Sequence, residues 1–182
     1  KKIDVLKVTD GAGRVRYGIN SVGVGFDAYV VKRVSELKSK RLGSISYAIE
    51  VIRGLFSFKP TRMQIDIDGA SKSVNHAWLC AFTNGERFGG GMKITPGAAF
   101  DDGFVNIAYL SEARRLRLVA LLLKVFKGKH VGMAGVHIKQ GKKIIIQPRT
   151  DYPCHLDGDV RNMDFPVCVE VIPAALPFLI RA

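Results

Sequence analysis

The chain opens on alternation. Ile3 to Val8 alternates apolar and polar positions, Asp10-Gly11-Ala12-Gly13 turns, and Val15 to Asn20 can return, which predicts a hairpin. Asn20-Ser21-Val22-Gly23-Val24-Gly25-Phe26-Asp27-Ala28 follows. Its two glycines ahead of an apolar-periodic stretch predict a tight strand-to-helix passage, with Val30, Val31, Val34 and Leu37 on one helical face. A second helix is predicted from Ser44 to Phe56, with Ile45, Ala48, Ile49, Ile52 and Phe56 inward. Gly54 and Pro60 support a stop there.

From Thr61 the period changes to two. Met63, Ile65 and Ile67 alternate with Gln64, Asp66 and Asp68 before a turn at Gly69. Val74 to Thr83 and Phe104 to Leu110 read as strands around a stretch rich in Gly and Ala. Ser111 is expected to cap a helix that turns Leu116, Val119, Ala120, Leu123 and Phe126 inward and stops at Gly128 or Gly132. Short strands follow at Gly135 to Gln140, Lys142 to Pro148, His155 to Asp157 and Val167 to Ile172, the first two joined at Gly141. The sum is a strand-rich α+β fold: an elaborated β-sandwich or barrel-like domain with a few added helices, one domain over residues 1–182.

Composition narrows the function. The 182 residues are 47% apolar and 24% charged, which excludes a disordered or collagenous chain. No apolar run approaches the ~18–20 residues of a membrane span. Cys80, Cys154 and Cys168 are too few and scattered for a disulfide framework and have no zinc spacing, so a reducing compartment is expected. The start lacks an initiator Met and a signal-like apolar stretch, which suggests a piece of a longer polypeptide. Twenty-eight Lys and Arg against 16 Asp and Glu give a net charge of +12 and point to anionic partners.

Four constellations could carry chemistry. Asn84-Gly85-Glu86-Arg87-Phe88-Gly89-Gly90-Gly91-Met92 reads either as a hairpin or as a loop whose bare N–H groups admit a ligand. Thr95-Pro96-Gly97-Ala98-Ala99-Phe100-Asp101-Asp102-Gly103-Phe104 puts two carboxylates in one loop, as a solvated turn or a hard-cation site. His155-Leu156-Asp157-Gly158-Asp159 flanks a glycine with two more, as a turn or a proton acceptor. Cations cluster at Lys32, Arg33, Lys38, Lys40 and Arg41, and again at Arg114, Arg115, Arg117, Lys124, Lys127 and Lys129. The second set fits a solvated face or a basic helix on an anionic membrane. No aromatics interleave for base stacking, which makes nucleic acid the weaker partner. The four histidines, Cys80 and Trp78 read as structural.

In order, these strings resemble the bacterial soluble diacylglycerol kinase family, lipid kinases related to sphingosine and ceramide kinases. The resemblance spans residues 20 to 159. It implies the C-terminal, lipid-substrate domain of a two-domain kinase, because the family's N-terminal Gly-Gly-Asp-Gly-Thr nucleotide motif is absent from this sequence. It implies transfer of the γ-phosphoryl group of ATP to a lipid hydroxyl, diacylglycerol first, with Mg²⁺ required and the domain inactive alone. By resemblance Asp102 matches a direct Mg²⁺ ligand, with backbone carbonyls of Ala99 and Phe104, and Asp101 matches a carboxylate linking that site to the chemistry. Asp159 matches the general base, where the family's Glu is one C–C bond longer, about 1.5 Å. Asp157 shares that work or holds the loop, and Asp27 matches a position lining the lipid side of the cleft. Asn84, Gly89 and Gly90 belong to the substrate side, and Lys40 and Arg41 resemble residues that approach ATP phosphates. The implied partners are a lipid substrate, an anionic membrane surface, an N-terminal nucleotide-binding domain and a second copy as homodimer. The implied place is cytoplasmic, peripheral to the inner face of the membrane. The alternatives are a kinase for another lipid alcohol, such as a sphingoid base or phosphatidylglycerol, and a non-catalytic basic module binding membrane or nucleic acid.

Overall fold

The computed structural model describes residues 1–36 and 51–178. The first hairpin forms as its alternation predicts, from β1 (Lys2–Thr9) and β2 (Val15–Gly18). β3 (Ser21–Gly25) runs without a break into α1 (Phe26–Glu36), and residues 51–57 are helical. β4 (Thr61–Ile67) turns at Gly69 into the long β5 (Ala70–Thr83). The short pair β6 (Arg87–Phe88) and β7 (Met92–Lys93) follows, then β8 (Val105–Ser111) and α2 (Arg115–Val125). The chain closes with β9 (Val136–Gly141), β10 (Lys143–Pro148), β11 (Cys154–Leu156), β12 (Asp159–Arg161) and β13 (Val167–Pro177).

Eleven strands among the described residues form one antiparallel sheet, ordered β12-β11-β3-β5-β4-β10-β13-β1-β2, with β8 also on β5 and β9 beyond it. β5 is the junction. Its residues 70–77 pair with β4, whereas Leu79 to Thr83 lie between β3 and β8. The change falls at a bulge, with His76 at φ +45 and a register slip between Ala77 and Leu79. A bulge bends a strand and lets it serve two layers, which gives the sandwich-like curl. Leu6, Val8, Val22, Val24, Met63, Phe82, Ile107, Ile144 and Ile146 are fully buried in one core between the layers. Trp78 and Cys80 belong to it, and burial pushes the Cys80 thiol far up, so it stays protonated and inert.

Both later helices differ from their predicted phase. In residues 51–57 the inward side chains are Val51 and Leu55, while Ile52 and Phe56 are exposed. In α2, Leu118, Leu121 and Val125 point inward, while the predicted face of Leu116, Val119 and Leu123, continued by Phe126 at the cap, points to solvent. Both stripes of α2 are apolar at helical spacing, so periodicity could not choose between them. Ser111 does not cap this helix. It ends β8 with its hydroxyl 3.2 Å from Nε2 of His137, and the cap position is Arg114, without a side-chain cap bond. Leu37 and the first part of the predicted second helix, Ser44 to Glu50, lie outside the described residues.

Candidate functional site

The β3–α1 junction depends on glycine. A Cβ at Gly23 would overlap both the Asp27 carboxylate and the His155 ring, so a bare backbone lets those side chains meet across β3. Gly25, at φ +103, turns the chain directly into α1. Asp27 stands in the first turn of α1, where a negative charge suits the helix dipole. Its Oδ2 lies 3.2 Å from Nε2 of His155, a buried ring on β11. The Gly158 N–H donates to Nδ1 of that ring at 3.4 Å, so the proton belongs on Nε2, which donates to Asp27. Asp27 Oδ1 is buried and has no hydrogen-bond partner among the described residues.

Two carboxylates after His155 occupy opposite states. Asp157 accepts the backbone N–H groups of Ile19 at 2.8 Å, Asn20 at 2.9 Å and Ser21 at 2.8 Å, which fixes the passage from β2 to β3. Asp159 opens β12 with its side chain 73% exposed and its Oδ2 2.9 Å from Nη2 of Arg161. Because α1 packs on both β11 and β12, Asp27 and the Asp157-Gly158-Asp159 turn share one region of the surface.

A buried polar network ties the acidic loop to the same region. Asn84, with no exposed surface, donates through Nδ2 to the carbonyls of Asp4 at 2.7 Å and Ile19 at 2.9 Å. Asp4, buried on β1, accepts the N–H groups of Gly103 and Ala174, each at 2.7 Å. Its own N–H donates to the Phe100 carbonyl at 2.6 Å. Within the loop, Asp102 accepts the Ala99 N–H at 3.2 Å and the Phe104 N–H at 3.0 Å. Asp101 points outward to Lys1 Nζ at 2.6 Å.

Beside Asp27 lies an apolar cavity of about 140 Å³. Leu79 and Ala81 of β5, Tyr109 of β8, Leu55, and Leu118 and Leu121 of α2 are among its walls. That volume compares with the ~150 Å³ engineered cavity that admits benzene, so it has room for an apolar group of about that size. Asp27, His130 and Tyr109 are the wall residues that carry polar side-chain atoms. Nε2 of His130 donates to the Ile94 carbonyl at 2.9 Å, which leaves Nδ1 as a buried acceptor without a partner among the described residues. Burial pushes the His130 pKa down, so the ring stays neutral. Two unpartnered acceptors in an apolar wall suit a ligand that brings hydroxyl donors.

Of the residues singled out in the sequence, Asp27, Asn84, Asp157 and Asp159 fall in this region. Gly89 and Gly90, at φ +58 and +78, form the turn of the β6–β7 hairpin. That hairpin sets the Phe88 ring 6.0 Å from the His155 ring and lends Phe88 and Met92 to the cavity. Lys40 and Arg41 lie outside the described residues. Sequence reasoning missed Asp4, His130 and His155. The one available signal was Gly23 inside a strand, which marks a close approach.

A Mg²⁺ ion is tested by the donors of the acidic loop. Each Asp102 oxygen accepts one N–H and keeps a lone pair for a cation, so the residues fit an ion held by one carboxylate, backbone carbonyls and water. Among the described residues, no three His, Cys, Asp or Glu side chains converge on a metal position, so water would complete the shell.

Comparison with known proteins agrees with this architecture. A diacylglycerol kinase of Mycobacterium tuberculosis is 28% identical over 178 residues, covering 97% of this chain and 56% of that protein. One of Bacillus subtilis is 22% identical over 173 residues, covering 88% of this chain and 56% of that protein. The chain thus spans about half the length of these relatives. A diacylglycerol kinase crystal structure from Bacillus anthracis superposes with a TM-score of 0.60 at 18% identity, over 96% of this chain and 52% of that one, which shows a shared fold. Residues 20–180 match the family model of the YegS C-terminal NAD kinase beta sandwich-like domain, and the chain belongs to that family.

Proposed function

We propose that this chain is the lipid-substrate half of an ATP-dependent lipid kinase that phosphorylates a lipid hydroxyl, diacylglycerol first. The observation that carries the reading is the apolar cavity with Asp27 among its lining residues, one of whose carboxylate oxygens is buried without a partner among the described residues. A hydrocarbon segment fills such a space, and a headgroup hydroxyl suits the free acceptor. The names of the relatives support the same chemistry.

Phosphoryl transfer asks the protein for positioning, charge neutralisation and a base for the attacking hydroxyl. Asp27, held by His155, orients the lipid hydroxyl. Asp159 takes its proton, and its exposure leaves it open to a substrate that arrives from outside the chain. Asp157 holds the turn that carries Asp159, through its three backbone bonds. Asp102 with the carbonyls of Ala99 and Phe104 would hold Mg²⁺, which would brace the acidic loop, and Asp101 would have to leave its pairing with Lys1 to link that loop to the reacting groups. The ATP site belongs to a nucleotide-binding domain beyond this chain, with Lys40 and Arg41 toward the phosphates. A site of action at the inner face of the cytoplasmic membrane follows from the substrate.

The test is a kinase assay on the longest polypeptide that carries this chain. It uses ATP, Mg²⁺ and mixed micelles of diacylglycerol, sphingoid base or phosphatidylglycerol. The expected result is phosphorylated diacylglycerol, reduced about 10²–10⁴-fold in Asp159→Ala. Transfer to another lipid alone would correct the substrate. No transfer to any lipid by a folded protein with an intact nucleotide domain would overturn the reading.

A further inference from the structure

α2 carries two apolar stripes, and the fold uses one. Leu118, Leu121 and Val125 close the cavity on the inner side. On the outer side Leu116 is 83% exposed and Leu123 72%, with Val119 and Phe126 also open to solvent. Their spacing of three and four residues makes a continuous strip along the helix. A helix apolar on both sides normally has both sides covered. The neighbouring helical residues 51–57 add exposed Ile52 and Phe56. The two helices are joined by Arg115, whose guanidinium donates to the Leu55 and Phe58 carbonyls and lies 5.4 Å from the centre of the Trp78 ring.

Charge decides what covers this strip. Arg114, Arg117, Lys124, Lys127 and Lys129 surround it, and the sequence has no Asp or Glu between Glu112 and Asp151. All five cations are exposed, and none has a salt bridge among the described residues, unlike Lys7, Arg14 or Lys93 elsewhere in the chain. A second copy seated strip to strip would bring like charges together. An anionic bilayer accepts both features at once, with side chains in the acyl boundary and cations among the headgroups.

We propose that the outer face of α2, with Ile52 and Phe56 beside it, docks this protein on an anionic lipid bilayer. The helix would then lie between the bilayer and the cavity, with one stripe facing each. The inference goes beyond the kinase reading, because binding requires neither ATP nor turnover.

The experiment is vesicle co-sedimentation of the longest polypeptide that carries this chain. Phosphatidylcholine vesicles with and without phosphatidylglycerol are compared, at low and high salt. Leu116→Ser with Leu123→Ser should weaken binding to the anionic vesicles about tenfold or more. Arg117→Glu with Lys124→Glu should do the same and reduce the salt dependence, since each cation is worth about fivefold at the surface. Lys2→Glu with Lys142→Glu, the same charge change outside the cavity-lining elements, should retain most of the binding. All six side chains are exposed, and unchanged melting temperatures would exclude misfolding as the cause. Absence of binding by the parent, or binding indifferent to the α2 changes, overturns the proposal. So does a concentration-dependent dimer in sedimentation velocity that the Leu116/Leu123 pair abolishes, which would assign the strip to a second copy.

Discussion

The carboxylate of Asp27 and the imidazole of His155 meet at 3.2 Å although 128 residues separate them. The Gly158 N–H on Nδ1 fixes the ring so that Nε2–H points at Asp27. In the proposed site His155 is therefore a positioning residue: it holds one oxygen of Asp27, while the other has no hydrogen-bond partner among the described residues. Removing it leaves a mostly buried carboxylate oxygen without its donor, a loss of about 1–3 kcal/mol. His155→Ala is expected to lower kcat/KM for the lipid roughly tenfold or more while KM for ATP stays put. His155→Gln, whose amide can donate at a similar reach, should recover part of it. Equal loss in both variants, or an unchanged lipid kcat/KM in His155→Ala, would reject the assignment.

Gly23 offers an independent way to part the same pair. A Cβ there would sit closer to Asp27 Oδ2 and His155 Nε2 than real contacts allow. Gly23→Ala must push the two side chains apart or shift β3 in the sheet. Overpacking of this kind costs about 1–3 kcal/mol. Denaturant unfolding should show that loss, and lipid phosphorylation should fall further than stability alone explains. Wild-type turnover in Gly23→Ala would mean that the pair is not needed.

What the sequence showed, and what it hid, follows from the range of the forces. β1 and β4 were legible because one buried face imposes a period of two on consecutive residues, and β2 because the Asp10–Gly13 turn returns the chain beside β1, although its Val15 and Tyr17 are exposed. α2 was legible as a helix but not in phase, since Leu116 and Leu118 begin equally apolar stripes. The three-residue β12 was not legible, because Asp159-Val160-Arg161 gains strand geometry only by pairing with β11. Asp4 looked like an ordinary outward polar residue of an alternating strand. Its burial comes from Gly103 and Ala174, 99 and 170 residues away, which no local pattern encodes. The carboxylates near the site were visible as strings, but not their division of labour, which depends on which N–H groups the fold brings to each.

Asp157 and Asp159 give a clean contrast. Asp157 accepts three backbone N–H groups, and Asp157→Ala leaves all three without that acceptor. The expected cost is about 2–4 kcal/mol, a clear shift of the denaturation midpoint. Asp159 is 73% exposed, so Asp159→Ala should stay within about 0.5 kcal/mol of the parent while turnover collapses. If Asp159→Ala unfolds the protein as readily as Asp157→Ala, the exposed carboxylate is structural.

Asp10 makes the fold acid-sensitive. Burial pushes its carboxyl up, but the hydrogen bonds from Arg14 and Arg16 outweigh this and hold it at about 2. A pKa depressed on folding means stability that is fully present above the unfolded value and lost as pH falls through the folded one. The Asp10 contribution should therefore be intact above about pH 4 and disappear toward pH 2. Asp10→Asn should be less stable at neutral pH, by about 2 kcal/mol, and its disadvantage should shrink across that window. Urea unfolding at several pH values measures both. A pH-independent gap between the two proteins would remove Asp10 from the account.

The last prediction concerns Asp4, which reaches the acidic loop from the far end of the chain. Its two oxygens accept N–H groups from Gly103 and Ala174, each at 2.7 Å, and its backbone also bonds to Phe100 and Asn84. Asp4→Asn keeps the shape but turns one acceptor into a donor. An amide NH₂ then faces an N–H in a buried place, and one of the two bonds must break. A buried donor left without its acceptor costs about 1–3 kcal/mol. If Gly103 is the one released, the turn that presents Asp101 and Asp102 loses its anchor to β1. Faster amide exchange at Gly103 or Ala174 would show which bond broke. Only the Gly103 outcome should weaken Mg²⁺ binding by the loop, because Gly103 follows Asp101 and Asp102 directly in the chain, whereas Ala174 belongs to β13. Unaltered exchange at both amides, with unaltered stability, would mean that the Asp4 carboxylate does not organise the loop.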